Sequence, residues 1–206
     1  MEDHGLSHLR RTFRMAFLII LPACAIMAII AALVSGHDLF PIILIGAFFT
    51  AAGCGGLVAM GDHAVARQTA SGALMGMVAL LVLATAGTAW QIDMHMAFFA
   101  ALAVVAGWVC WRSILVGAGV VAAHHLLLNF IYPYAVFPGG ADFTRVLLHS
   151  AILVAQAATL IWLTLRLAST FEAAVTATRS AVLAREAADT AAAKEREFFS
   201  AQDLRR

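Results

Sequence analysis

Histidines set inside apolar sequence are the residues of this chain with the most chemistry to offer. Of its eight histidines, His4, His8, His37 and His63 lie in tails or turns, where solvation accounts for them, whereas His95, His124, His125 and His149 interrupt long apolar runs. A buried imidazole needs its ring nitrogens satisfied, and a polar or ionisable group inside a membrane span marks a site by default. Imidazole is the commonest metal ligand near neutral pH and suits Cu, Zn or Fe. Asp93, Met94 and Met96 flank His95, so Asp93 joins the four histidines as a candidate metal ligand. Two facing imidazoles would instead hold the iron of a b-type haem, with room supplied by Gly53-Cys54-Gly55-Gly56 and the glycines at 72 and 76. A third reading is a hydrogen-bonded network that only packs helices, and the same reading makes Gly72 and Gly76 close-packing residues. The residues alone leave all three open.

The elements that must position these rings follow from hydropathy. The 206 residues are 63% hydrophobic and 12% charged, with mean hydropathy +0.90, against roughly 25% charged residues in an ordinary soluble domain. Apolar runs at 15–34, 40–60, 69–89, 94–111, 113–132 and 145–166 each approach the ~20 residues that cross a bilayer. Turn chemistry separates them, as in Ser35-Gly36-His37-Asp38 and Pro138-Gly139-Gly140. The expectation is an all-α polytopic membrane protein of six transmembrane helices. Arg10, Arg11, Arg14, Arg67, Arg112 and Arg166 then share one side and only Arg145 takes the other, so the positive-inside rule puts both ends in the cytoplasm. No cleavage pattern follows the first run, which reads as a retained helix. At ~1.5 Å per residue, His95, His149 and the His124-His125 pair lie roughly 3, 6 and 10 Å below the outer interface. All four belong to one leaflet.

Helical spacing groups the polar residues further. Arg145, His149, Gln156 and Thr159 form one stripe on the sixth run, and His125 shares a face with Asn129. Neighbouring His124 and His125 point about 100° apart, so either one faces a pocket while the other binds elsewhere, or both strain towards one centre. Past Arg166 the sequence turns rich in Ala, Glu and Arg without Gly or Pro, which is strong helix composition. The sixth span is expected to continue into the cytoplasm as one helix, with Phe171, Val175, Val182 and Leu183 offering a weak heptad for a homodimer or simply a solvated linker. This divides the chain into a cytoplasmic segment at 1–14, a transmembrane domain at 15–166 and a connector at 167–206, with an output domain expected beyond it.

Several classes are excluded. A net charge of +1 without a basic aromatic patch gives no nucleic-acid partner. No P-loop or Rossmann glycine pattern is present, nor a hydrolase motif. Cys24, Cys54 and Cys110 sit in apolar runs without paired spacing and are assigned no chemistry.

The string Trp90-Gln91-Ile92-Asp93-Met94-His95, with Trp111-Arg112, His124-His125 through Asn129, Phe137-Pro138-Gly139-Gly140 and Arg145 through His149, resembles the membrane region of a bacterial sensory group. In that group a six-helix segment precedes methyl-accepting chemotaxis, diguanylate cyclase or histidine kinase modules. The resemblance covers residues 90–166 well and the first three spans loosely. It implies a non-enzymatic sensor input domain in the bacterial inner membrane, with Asp93, His95, His124, His125 and His149 as its signature and a cytoplasmic signalling module as partner. A chemoreceptor is the favoured module. The competing expectation is a membrane metalloenzyme or haem electron carrier.

Overall fold

The computed structural model describes residues 6–203, without the side chains of Glu195 and residues 197–203; His4 lies outside the described residues. The described residues form seven α-helices, α1 (Ser7–Ser35), α2 (Leu39–Met60), α3 (Ala64–Ala84), α4 (Trp90–Met94), α5 (Ala97–Ala106), α6 (Trp111–Ile131) and α7 (Phe143–Asp203), with a 3-10 turn at Pro133–Ala135 before α7. No strand occurs among the described residues. Five of the helices, α1, α2, α3, α6 and α7, are long and apolar enough to cross a membrane, and the Trp90–Ala106 unit is shorter.

α3 is the centre of the bundle. It packs against α1, α2, α5 and α6, and fourteen of its residues between Ala66 and Ala84 are buried. Its small residues make this possible. A side chain at Gly76 would overlap the Phe49 ring of α2, and Gly72 lies against Val116 of α6. Gly53 is likewise filled by Leu21 and Ala73. At Gly53, Gly72 and Gly76 the expected room for a haem is therefore taken by neighbouring helices. Outward-facing positions are apolar as well: Ile19, Phe40, Val58, Phe130 and Ile131 are each more than two-thirds exposed, a surface that water does not favour.

Two expected runs are drawn differently by the structure. The third helix spans Ala64–Ala84, not 69–89, because His63 caps its start and the Thr85 hydroxyl bonds back to Leu81 and Val82 at its end. Gly87, at φ +73°, then turns the chain in the left-handed region. The fourth run is two helices. At the junction His95 N–H bonds to Ile92, Met96 to Asp93, Phe98 to His95 and Phe99 to Met96, a stretch of three-residue bonds that tightens the helix locally. The sixth run and the C-terminal sequence form one continuous helix, α7, of 61 residues.

The ends of the bundle are tied by polar contacts. At one end Arg10 of α1 donates to the carbonyls of Trp108 and Val109, both at 3.5 Å, and Arg67 donates to the Asp62 carbonyl in the α2–α3 turn. At the other, the His37 ring bonds the Ala86 carbonyl at 2.9 Å, and buried Gln91 donates to the Tyr134 carbonyl at 2.9 Å. α4 and α5 together therefore traverse the bundle despite their break.

Candidate functional site

The four histidines converge near the Gln91 end of the bundle. His125 is at the centre: its ring centroid is 5.2 Å from that of His149, 5.6 Å from His95 and 5.1 Å from His124. His95 stands 6.3 Å from His149 and 6.5 Å from His124.

Three of the rings are held by the backbone four residues before them. The Nδ1–H of His95 donates to the Gln91 carbonyl at 2.8 Å, that of His125 to Val121 at 2.9 Å, and that of His149 to Arg145 at 2.8 Å. A carbonyl only accepts, so in each case Nδ1 carries the proton and Nε2 of the neutral ring carries a lone pair. The buried Nε2 atoms of His95, His124 and His125 have no hydrogen-bond partner. Buried ring nitrogens without partners call for an explanation, and for His95 and His125, whose Nδ1 holds the proton, an electropositive partner at Nε2 would supply one. An Nδ1–H bonded to a backbone carbonyl is also the usual way in which a metal-binding histidine is oriented.

Supporting residues fix those helices. Gln91, fully buried, accepts from Gly87 N–H at 2.9 Å while donating to Tyr134, and so holds α4 and the carbonyl that His95 uses. Asp142 caps α7: its carboxylate accepts from Arg145 N–H at 2.9 Å, and its own N–H donates to Asn129 of α6 at 2.8 Å. The faces expected for His125 with Asn129 are thereby accounted for, since both are buried. Phe137 lies parallel to His95 with centroids 6.1 Å apart, and the Arg145 guanidinium covers its other surroundings at 5.4 Å. Gln91 and Phe137 were not assigned a role on sequence grounds. For Gln91 the available signal was an amide at the head of an apolar run.

A cavity of about 280 Å³ adjoins the rings. His95, His125 and His149 line it together with Phe98, Val136 and Leu153, whereas His124 does not. The two neighbouring histidines thus divide, one facing the cavity and one set behind it. From the α7 stripe, Arg145, His149 and Gln156 reach the cavity; Thr159 is exposed and bonds its own helix at Ala155. Asp93 is exposed on α4 and lines no part of the cavity, so the structure does not bring it to the histidines.

The spacing can be set against ligation. With metal–nitrogen bonds of ~2.0–2.1 Å, two imidazoles at the tetrahedral angle have centroids about 5.2 Å apart. The His125–His149 separation of 5.2 Å meets that value, and His95–His125 at 5.6 Å and His95–His149 at 6.3 Å are wider. Accordingly, among the described residues no three His, Cys, Asp or Glu side chains form a ready metal-binding group. His95 would have to draw inward to complete one. Comparison with known proteins finds no family model, no curated protein and no solved structure that matches the chain.

Proposed function

We propose that this chain is the membrane-embedded input domain of a bacterial signal-transduction receptor, in which His95, His125 and His149 hold a transition-metal ion and α7 carries the state of that site to a cytoplasmic module. The observation that carries the reading is the set of three rings that line one cavity with their Nδ1 protons committed to backbone carbonyls, which leaves each Nε2 free to act as a ligand. Cu, Zn or Fe matches an all-imidazole donor set. A haem b held by His95 and His149 is less favoured, because the His125 ring stands beside their midpoint, where the macrocycle would lie.

Six traverses with both termini cytoplasmic fit the grouping of Arg10, Arg14, Arg67 and Arg112 at the end away from the histidines. The apolar exterior fits a bilayer, and the inner membrane of a bacterium is the compartment the resemblance implies. α7 runs without interruption from the capped start beside Asn129, past His149, to Asp203, so a shift of the site moves one rigid element. Coupling requires that the ion bind two helix arrangements with different affinity. Closing His95 onto the other two rings is such a difference. The competing reading, a membrane metalloenzyme, is favoured by the cavity beside the rings, since catalytic zinc sites keep one open position.

Elemental analysis and an absorption spectrum of protein purified from membranes test the proposal. The expected result is close to one transition-metal ion per chain without a Soret band, lost on His149→Ala. A Soret band replaces the ion with haem; protein free of both returns the histidines to helix packing.

A further inference from the structure

The three cysteines, alike in sequence, have different surroundings. Cys24 and Cys54 pack among apolar residues of α1 and α2 as small hydrophobes do. Cys110 lies in the α5–α6 connection, in extended conformation at the N-cap of α6 (φ −142°, ψ 103°), where the first N–H groups of a 21-residue helix lack intrahelical acceptors. Arg67 reaches it from α3. Arg67 is only 8% exposed and holds one terminal guanidinium nitrogen 4.0 Å from the Cys110 sulfur. Its Nε has no partner, and no carboxylate pairs with it among the described residues. Ser113 supplies a third group: fully buried in the first turn of α6, its hydroxyl is without a hydrogen-bond partner.

A buried cation, a helix N-terminus and an unpartnered hydroxyl therefore surround one partly accessible sulfur. Together they stabilise the thiolate, the nucleophilic form. We infer that Cys110 is a thiol oxidised by hydroperoxides, at a site separate from the histidines and independent of what they bind. The thiolate attacks one oxygen of the hydroperoxide. A sulfur–oxygen bond forms, the oxygen–oxygen bond breaks, sulfur gives up two electrons, and the departing alkoxide or hydroxide takes up, through water, the proton carried by the transferred oxygen, leaving a sulfenate and an alcohol or water. Its neighbour Val109 has φ +48°, a conformation that β-branched residues rarely adopt. The modification would thus fall at a strained junction at the foot of the helix bearing His124 and His125.

The test uses the full chain. Alkylation of Cys110 by iodoacetamide is followed by mass spectrometry across pH and compared with the thiol of Ser180→Cys, placed at an exposed position of α7. An ordinary thiol ionises near ~8.5, and the Cys110 profile is expected to have its midpoint at least about one pH unit lower than the Ser180→Cys reference. Hydrogen peroxide followed by dimedone is expected to label Cys110 and leave Cys24 and Cys54 unlabelled. Arg67→Gln should move the midpoint up towards the reference and Arg67→Lys should restore it; Ser113→Ala, which removes a donor without removing charge, should move it up by less. A Cys110 midpoint at or above the reference, or no dimedone adduct on Cys110, overturns the inference.

Discussion

The two ends of α6 present opposite shortages. Near its C-terminus four imidazole rings gather, and the Nε2 atoms of His95, His124 and His125 are buried without partners. Near its N-terminus the surplus is of donors: the Nε atoms of Arg14 and Arg67, the Ser113 hydroxyl and the Trp108 indole N–H are buried without acceptors. An unmet buried polar group costs about 1–3 kcal/mol, a cost that both ends carry. On the two proposed readings, one helix joins a cation site at one end to a thiolate at the other. The middle of the same helix, around Gly117 and Val121, is ordinary core against Met75 and Leu102.

The largest effect should come from breaking the histidine end at its centre. His125→Ala removes the one ring within 5.7 Å of His95, His124, His149 and Phe98 alike, and metal affinity is expected to fall by roughly 100-fold or more, beyond the range of 10–100-fold usual for supporting residues. His124→Ala, behind the cavity, should cost less than about tenfold, as a supporting residue does. Competition against a chelator measures both. Equal losses would mean that the cavity-facing and rear rings are one site, and the division between them would fail.

Next comes the opposite end. A methyl group at Gly107 would overlap the ring of Phe13, and that ring is held between α1 and fully buried Trp108, 6.0 Å away. Gly107→Ala is expected to destabilise the fold by about 1–3 kcal/mol, the usual cost of overpacking. Gly119→Ala, on the same scale, meets open space and should be neutral or stabilising by up to about 1 kcal/mol through helix propensity. Thermal unfolding in detergent separates the two. If both are neutral, the Arg-rich end is less tightly packed than the contact between Phe13 and Gly107 implies.

Much of this was legible in the chain, and the reasons differ by element. α2 and α6 follow their apolar runs because Asp38, Gly61 and Pro133 punctuate them, whereas α1 ends at Gly36 as its run does but begins at Ser7, within the charged 1–14 segment. The gathering of four histidines at one end was legible too, since depth along a helix follows from residue count alone. The break at His95 was not: it contains no Gly or Pro, and arises from backbone bonds that tighten where the His95 ring bonds Gln91. The shift of α3 came from Thr85, whose hydroxyl folds back on its own helix. Cys110 was the least visible, since what distinguishes it from Cys24 and Cys54 is Arg67, 43 residues away. Glycines 53, 72 and 76 look the same in sequence whether they face a cofactor or a neighbouring helix, and only their contacts decide.

A smaller effect tests how far the histidine end depends on its supports. Asp142→Ala deletes the carboxylate that caps α7 and its ion pair with Arg145 at 3.5 Å, while leaving the backbone N–H that Asn129 receives. Loss of a helix N-cap costs about 0.5–2 kcal/mol, and the exposed ion pair adds little. Because His149 lies in the second turn of α7, the same change should loosen metal binding by no more than about tenfold. Affinity falling without any loss of thermal stability would mean that Asp142 acts on the ion directly.

The smallest effect is predicted at Asp93, where the flanking position next to His95 made a ligand role attractive. One residue-pair separation along α4 turns its carboxylate away from the ring it neighbours in sequence: Asp93 is exposed, while His95 lines the cavity. Asp93→Asn keeps the shape and removes the charge, so metal affinity should change by less than about twofold, the small effect of a solvent-screened charge. A loss comparable to that of His125→Ala would show that α4 rotates by a large part of a turn when the site closes, carrying His95 inward and Asp93 with it. The same measurement therefore decides whether His95 reaches the other two rings by a small tightening of its junction or by turning the whole of α4.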